Sequence, residues 1–232
     1  MDYIFNSLKE AFILITSFDS DFMRICWTSI WVSLTSVTLA AIFSIPAAFL
    51  IAMNEFKGKK VLVIILNTLM SLPTVVVGLL VYSFLCRRGL LGDFGLLYTP
   101  YAIIIGQFIL ASPIITALVI STLKNSDARI IKTIRTLGAT GPRSILTLVS
   151  ELRLGVFAAI MAGFGRVFAE IGVSMMLGGG IKNYTRNITT AIAFETGKGE
   201  FSLALALGGV LLACAFTINA LFQVCTKKYE TL

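Results

Sequence analysis

The apolar positions of the chain gather into five long runs, 26–53, 61–86, 100–123, 154–178 and 203–225, separated by short polar segments. Each exceeds the roughly 20 residues needed to cross a ~30 Å hydrocarbon core. In lipid the backbone must satisfy its hydrogen bonds within the segment, so the runs are predicted to be helices. The first two are longer than needed, which predicts tilt or extension beyond the bilayer. Pro46, Pro73 and Pro113 lie within runs, where each removes a backbone donor and can kink its helix. Upstream, Ile4, Leu8, Phe12 and Ile15 recur at helical spacing among Asn6, Lys9 and Glu10. Residues 3–17 read as an interfacial amphipathic helix, with a short sixth span as the alternative. The predicted fold class is therefore an all-α polytopic membrane protein, with an N-terminal segment 1–25, a transmembrane domain 26–225 and a tail 226–232.

Composition supports the pattern. Hydrophobic residues make up 57% of the 232 positions and charged residues 13%, and the mean hydropathy is +0.91. Soluble domains run nearer ~45–50% apolar and ~25% charged. No basic n-region precedes the first run and no cleavage site is read, so that run is expected to act as an uncleaved insertion signal. Histidine is absent, and Cys26, Cys86, Cys214 and Cys225 show no CxxC spacing. These cysteines read as small buried hydrophobes, and neither a metal site nor a cofactor is expected.

The net charge of +7 has a topological explanation. With the N-terminus outside and five spans, the inside segments hold eleven basic and four acidic residues, and the outside segments seven of each. Only Arg166 and Glu170 remain, within the fourth span. The whole excess falls on one side, as the positive-inside rule expects, so the basic character needs no nucleic-acid partner.

The longest inside loop, 124–153, is patterned. Ser126 and Asp127 are N-cap residues, and Ile130, Ile131, Ile134 and Leu137 follow at helical spacing. Gly138 sits where a helix would stop. Gly141-Pro142 restarts one, and Ile145, Leu148 and Val149 give it an apolar face. A helix–turn–helix on the cytoplasmic surface is predicted, lying on anionic lipid or docking a cytoplasmic partner.

The run Arg135-Thr136-Leu137-Gly138-Ala139, followed by Gly141, Pro142 and Arg143, resembles the cytoplasmic loop motif of ABC-importer permeases. The motif glycine and its neighbours match. The flanks depart, with Lys132-Thr133-Ile134 at the EAA positions and Leu148-Val149-Ser150-Glu151 at the I-x-L-P positions. From Gly163-Phe164-Gly165-Arg166 through Ala169-Glu170-Ile171-Gly172 to Leu207-Gly208, the chain is similar to tungstate-type oxyanion permeases, which are relatives of molybdate permeases. The resemblance implies a type I ABC importer permease fold in a bacterial or archaeal plasma membrane. It also implies a homodimer, separate cytoplasmic ABC ATPase subunits, an extracytoplasmic oxyanion-binding protein, and a coupling helix at about 139–147.

Within the spans, Arg166 and Glu170 are four residues apart and share a helix face. Charges at this depth pair or face a cavity, so the two either line the path or hold the bundle together. Ser71, Pro73 and Thr74 form a second candidate stretch for the path, with a plain kink as the alternative. Outside, Lys182, Arg186 and Lys198 are read as groups able to meet an anion or an acidic partner, on a docking, gating or re-entrant segment. No P-loop occurs and no nucleophile–base set can be assembled, so a transport subunit rather than an enzyme is expected. A self-sufficient channel or secondary transporter is the rival class; the latter would be expected to show repeat symmetry and more intramembrane ionisable groups.

Overall fold

The computed structural model describes residues 19–126 and 142–230 together with Lys9, Phe12 and Ile13. The predicted amphipathic stretch 3–17 therefore lies largely outside the described residues, and Arg135, Thr136, Leu137, Gly138, Ala139 and Gly141 lie wholly outside them. The described residues form nine α-helices and one short 3-10 turn, without a strand. They are α1 (Ser20–Met53), α2 (Lys59–Leu69), α3 (Thr74–Leu85), α4 (Pro100–Asn125), α5 (Pro142–Glu151), α6 (Arg153–Phe168), α7 (Gly172–Gly178), α8 (Ile188–Lys198) and α9 (Phe201–Glu230).

Helix α1 starts where the Asp19 carboxylate accepts the Phe22 N–H at 3.2 Å. It continues through Pro46 to Met53, so that proline does not divide it. Ser29, Ser33, Ser36, Ala40, Ser44 and Ala48 are buried on one face. Their spacing of three and four residues makes a ridge of small side chains that lets a neighbouring backbone approach closely. That neighbour is α4, lying parallel to it. The Ser44 hydroxyl donates to the Ser112 carbonyl at 3.1 Å, and the Ser36 hydroxyl lies 3.0 Å from Gln107 Oε1. The opposite face of α1 exposes Trp27, Leu34, Ile42, Phe43 and Leu50, bulky apolar groups suited to lipid.

Three helices, α1, α4 and α9 over Phe201–Ala220, are long and apolar enough to cross a membrane alone. The run 61–86 differs from a single kinked span. It is two helices, α2 and α3, bent by 102° at Met70–Pro73. The run 154–178 is also interrupted, because α6 stops at Phe168 and α7 begins at Gly172. Counting α2 with α3, and the Ile145–Glu151 part of α5 with α6, as one span each gives up to five. Helix α9 continues to Glu230, so residues 226–230 of the expected tail are helical.

The second helix expected in the cytoplasmic loop is present as α5. Leu148 is fully buried, and Ile145 and Val149 pack against the core. The part of α5 from Ile145 to Glu151 meets α6 at 87°, so α5 lies across the end of the bundle. At the same end the Lys59 ammonium donates to the Ala52 carbonyl at 2.9 Å and pairs with Glu55 at 2.7 Å. This satisfies one of the carbonyls left open at the end of α1.

Candidate functional site

The two interrupted runs meet. Helix α7 lies beside α3 in the same direction. A Cβ built on Gly172 would sit 2.8 Å from Thr74 Oγ1, 3.0 Å from Val75 Cγ2 and 3.1 Å from Glu170 Oε1. One turn further on, a Cβ on Gly78 would sit 3.1 Å from the Met176 Cβ. Glycine at these two contacts lets the backbones touch. The first residues of both helices thus come together beside the breaks at Met70–Pro73 and Ala169–Ile171.

Each end at the break has a tertiary partner. Gln107 on α4, almost fully buried, donates its amide to the Val167 carbonyl at 3.3 Å. It also contacts Ser36, midway along α1. The Glu170 carbonyl accepts the Thr189 hydroxyl at 2.9 Å. The Glu170 carboxylate accepts the Val173 N–H at 3.3 Å and pairs with Arg166 at 3.3 Å. A carboxylate on the first turn of α7 meets N–H groups that have no partner inside the helix.

The structure separates the roles of the predicted pair. Arg166 and Glu170 do pair, but the Glu170 side chain is 3% exposed and the Arg166 side chain 42%. Glu170 is an internal anchor; the guanidinium faces out of the single chain. Ser71 and Pro73 are exposed, and Thr74 is half-buried against Gly172. Pro142 opens α5, with Arg143 next in the helix.

Residues 178–198 fold back against α1 and α7. The Ile188 N–H donates to Ser29 Oγ at 2.6 Å, nine residues inside α1. Asn187 caps α8 through a reciprocal bond pair with Thr190 and donates to Ser174 on α7 at 2.9 Å. Glu195, buried and not anticipated from the sequence, pairs with Arg186 at 3.3 Å and Lys198 at 2.9 Å. Arg186 also donates to the Gly180 carbonyl and stacks on Phe194. Lys182 pairs with Asp21 at 2.7 Å. The three cations expected to meet an outside anion are therefore occupied within the chain. Arg186 and Glu195 are nine residues apart, a separation that no helical spacing rule relates.

Among the described residues, no buried side-chain nitrogen or oxygen lacks a partner, and no group of three metal-ligating side chains forms. A satisfied polar network in a low-dielectric interior is stiff and specific. It holds the two breaks and α8 in one arrangement.

Residues 43–230 match the family described as binding-protein-dependent transport system inner membrane component. The tungstate uptake system permease protein of Campylobacter jejuni is 40% identical over 219 residues, covering 94% of this chain and 92% of the relative. Its counterpart from Peptoclostridium acidaminophilum is 40% identical over 220 residues, covering 95% and 96%. The molybdenum transport system permease protein of Escherichia coli K12 is 28% identical over 209 residues, covering 81% and 91%.

Proposed function

The chain belongs to the family of binding-protein-dependent transport system inner membrane components, and on that premise we propose that it is the membrane path of an ATP-driven importer for an oxyanion, tungstate first and molybdate next. It is a multi-pass membrane permease subunit with the type I permease fold. The names of the similar proteins support the substrate class. The distribution of basic residues supports an outside N-terminus and a cytoplasmic C-terminus.

One observation carries the path. Arg166 is a half-exposed cation within an apolar span, and lipid contact at that depth is costly. The guanidinium therefore faces a partner or a water-filled cavity once the subunit is assembled. A second copy of the chain supplies the other wall. Ser71, Pro73 and Thr74 line the same opening, and Glu170 fixes the Arg166 head.

The stroke comes from the cytoplasmic loop. Arg135 to Ala139 and Gly141 to Arg143 dock on a separate ATPase subunit. Helix α5, seated through Leu148 and set at 87° to α6, passes its displacement to α6. The far end of α6 leads into the Ala169–Ile171 break, so a tilt of α6 moves Arg166 and the α7 start together. This is alternating access by rigid-body motion. An outside binding protein delivers the anion.

Reconstitution tests the whole reading. The chain with its ATPase subunit and binding protein in proteoliposomes should take up tungstate only when ATP is present. The permease alone should hydrolyse none. Uptake by the permease alone, without ATP or the other two components, would assign it to the channel or secondary-transporter class instead.

A further inference from the structure

Beyond the path, the chain has an open cleft of about 660 Å³ where α3 ends, lined by Tyr82, Cys86, Arg87, Arg88 and Tyr98. It lies at the end of the bundle to which the topology above assigns the outside. The loop after α3 is already closed without the arginine heads. The Cys86 N–H donates to the Tyr82 carbonyl, the Leu91 N–H to the Phe84 carbonyl and the Gly89 N–H to the Cys86 carbonyl. Among the described residues neither guanidinium holds a hydrogen bond or an ion pair. Lys182, Arg186 and Lys198 on the same side are all paired. Among the described residues no carboxylate lines the cleft.

Two adjacent exposed cations on the outer side run against the charge distribution that orients the chain, and their heads are open to a ligand. Guanidinium groups recognise tetrahedral oxyanions through paired N–H donors. Two phenols stand opposite, with ring centroids 6.4 Å apart. Tyr98 is held there in a left-handed conformation, φ 64°. Its N–H donates to the Leu177 carbonyl at 2.8 Å, and its ring packs on Gly179. One wall of the cleft is thereby fixed to the end of α7, whose first turn forms the site at the breaks.

We infer that Arg87 and Arg88, with Tyr82 and Tyr98, form an outer receiving site for the transported oxyanion, ahead of the path. The inference rests on the oxyanion reading above. The probe is tungstate, with phosphate as comparator, dialysed against the permease–ATPase complex in nanodiscs without binding protein and read by elemental mass spectrometry. The wild-type complex and Arg166→Gln should both bind tungstate at this site. The double variant Arg87→Gln/Arg88→Gln should weaken that binding by at least about tenfold, and Arg87→Lys/Arg88→Lys should fall between. Equal binding by the glutamine variant and wild type would overturn the site. So would a glutamine variant that binds tungstate normally and loses only co-purifying anionic lipid, or only affinity for the binding protein. If wild-type proteoliposomes import no oxyanion, the functional reading fails; if they import tungstate and the glutamine variant still binds it normally, the outer site alone fails.

Discussion

The side-chain amide of Gln107 donates to the backbone carbonyl of Val167, 60 residues away, at 3.3 Å. Helix α6 ends at Phe168, so Val167 is among the last carbonyls, which have no partner inside their own helix. Gln107 supplies one from α4. The same carbonyl also accepts the Glu170 N–H at 3.2 Å, so Gln107→Leu should remove one of its partners, at a cost of about 0.5–1.5 kcal/mol. The check is the unfolding midpoint of the purified subunit, read beside uptake by the assembled importer. Both should fall; an unchanged midpoint would mean that the break stands without this bond.

Gly172 is the closest approach of the two interrupted spans. A methyl group there would meet Thr74 Oγ1 at 2.8 Å and Val75 Cγ2 at 3.0 Å. Gly172→Ala should push α7 away from α3 and lower uptake strongly, with destabilisation of about 1–3 kcal/mol from overpacking. Thr74→Ala removes one of the two obstructing atoms, so the double variant should recover part of the loss. Absence of any recovery would place the effect elsewhere. Gly165→Ala is the control for the single chain, since nothing lies within 4 Å of its added carbon. A stable Gly165→Ala subunit that fails in transport would mark that surface as one covered by the second copy.

Arg166 and Glu170 should separate by readout. Glu170 is buried, accepts the Val173 N–H and faces one guanidinium. Glu170→Ala should therefore be the more destabilising change, and Glu170→Gln the milder, because an amide oxygen still accepts the N–H. Arg166→Gln exchanges a half-exposed head and should retain most of the stability while reducing tungstate uptake by about tenfold or more, the scale of one lost charge-assisted contact. Uptake kinetics beside thermal unfolding distinguish the two. Full uptake by Arg166→Gln would remove it from the path.

Much of this architecture is written locally. The five runs and the Ile145, Leu148 and Val149 face of α5 follow from periodicity. Pro73 marked a bend, though not one of 102°. The break at Ala169–Ile171 carries no proline and reads as continuous apolar helix, because its stabilising partners are distant. Gln107 caps Val167 from another helix and Thr189 binds the Glu170 carbonyl from α8. Lys182, Arg186 and Lys198 looked available for an anion because Asp21 and Glu195 reach them only in the folded chain. Windowed pattern reading sees neither kind of contact.

A pH effect is expected at the other end of the bundle. The Lys59 ammonium donates to Glu55 at 2.7 Å, and with Lys124 it holds this carboxyl below the usual carboxylate range. A carboxyl depressed in the fold contributes stability above its unfolded pKa and loses it as pH falls through the folded value. The difference in stability between the parent and Glu55→Gln should thus be present at neutral pH and vanish in acid. Glu55 is solvent-exposed, so the difference should be small and should shrink with added salt. A difference that grows in acid would assign the pairing to another group.

The last expectation concerns how force enters. Leu148 is fully buried and is the central apolar contact of α5. Leu148→Ala should cost about 2–5 kcal/mol of local packing and loosen α5 from the bundle. If α5 passes the ATPase stroke to α6, ATP hydrolysis by the assembled importer should continue while uptake per ATP falls. If α5 serves only to hold the fold, hydrolysis and uptake should fall together, in proportion to the amount of assembled complex. Gly138→Asp, ahead of α5 in the chain, should abolish uptake for a different reason if the segment that holds it is the one proposed to dock on the ATPase. Restoring the Leu148 contact with Leu148→Ile or Leu148→Met should return the coupling ratio toward the parent value, whereas no volume-conserving change at Leu148 should rescue Gly138→Asp. A common rescue would merge the two positions into one structural defect, and the transmission through α5 would be lost as an explanation.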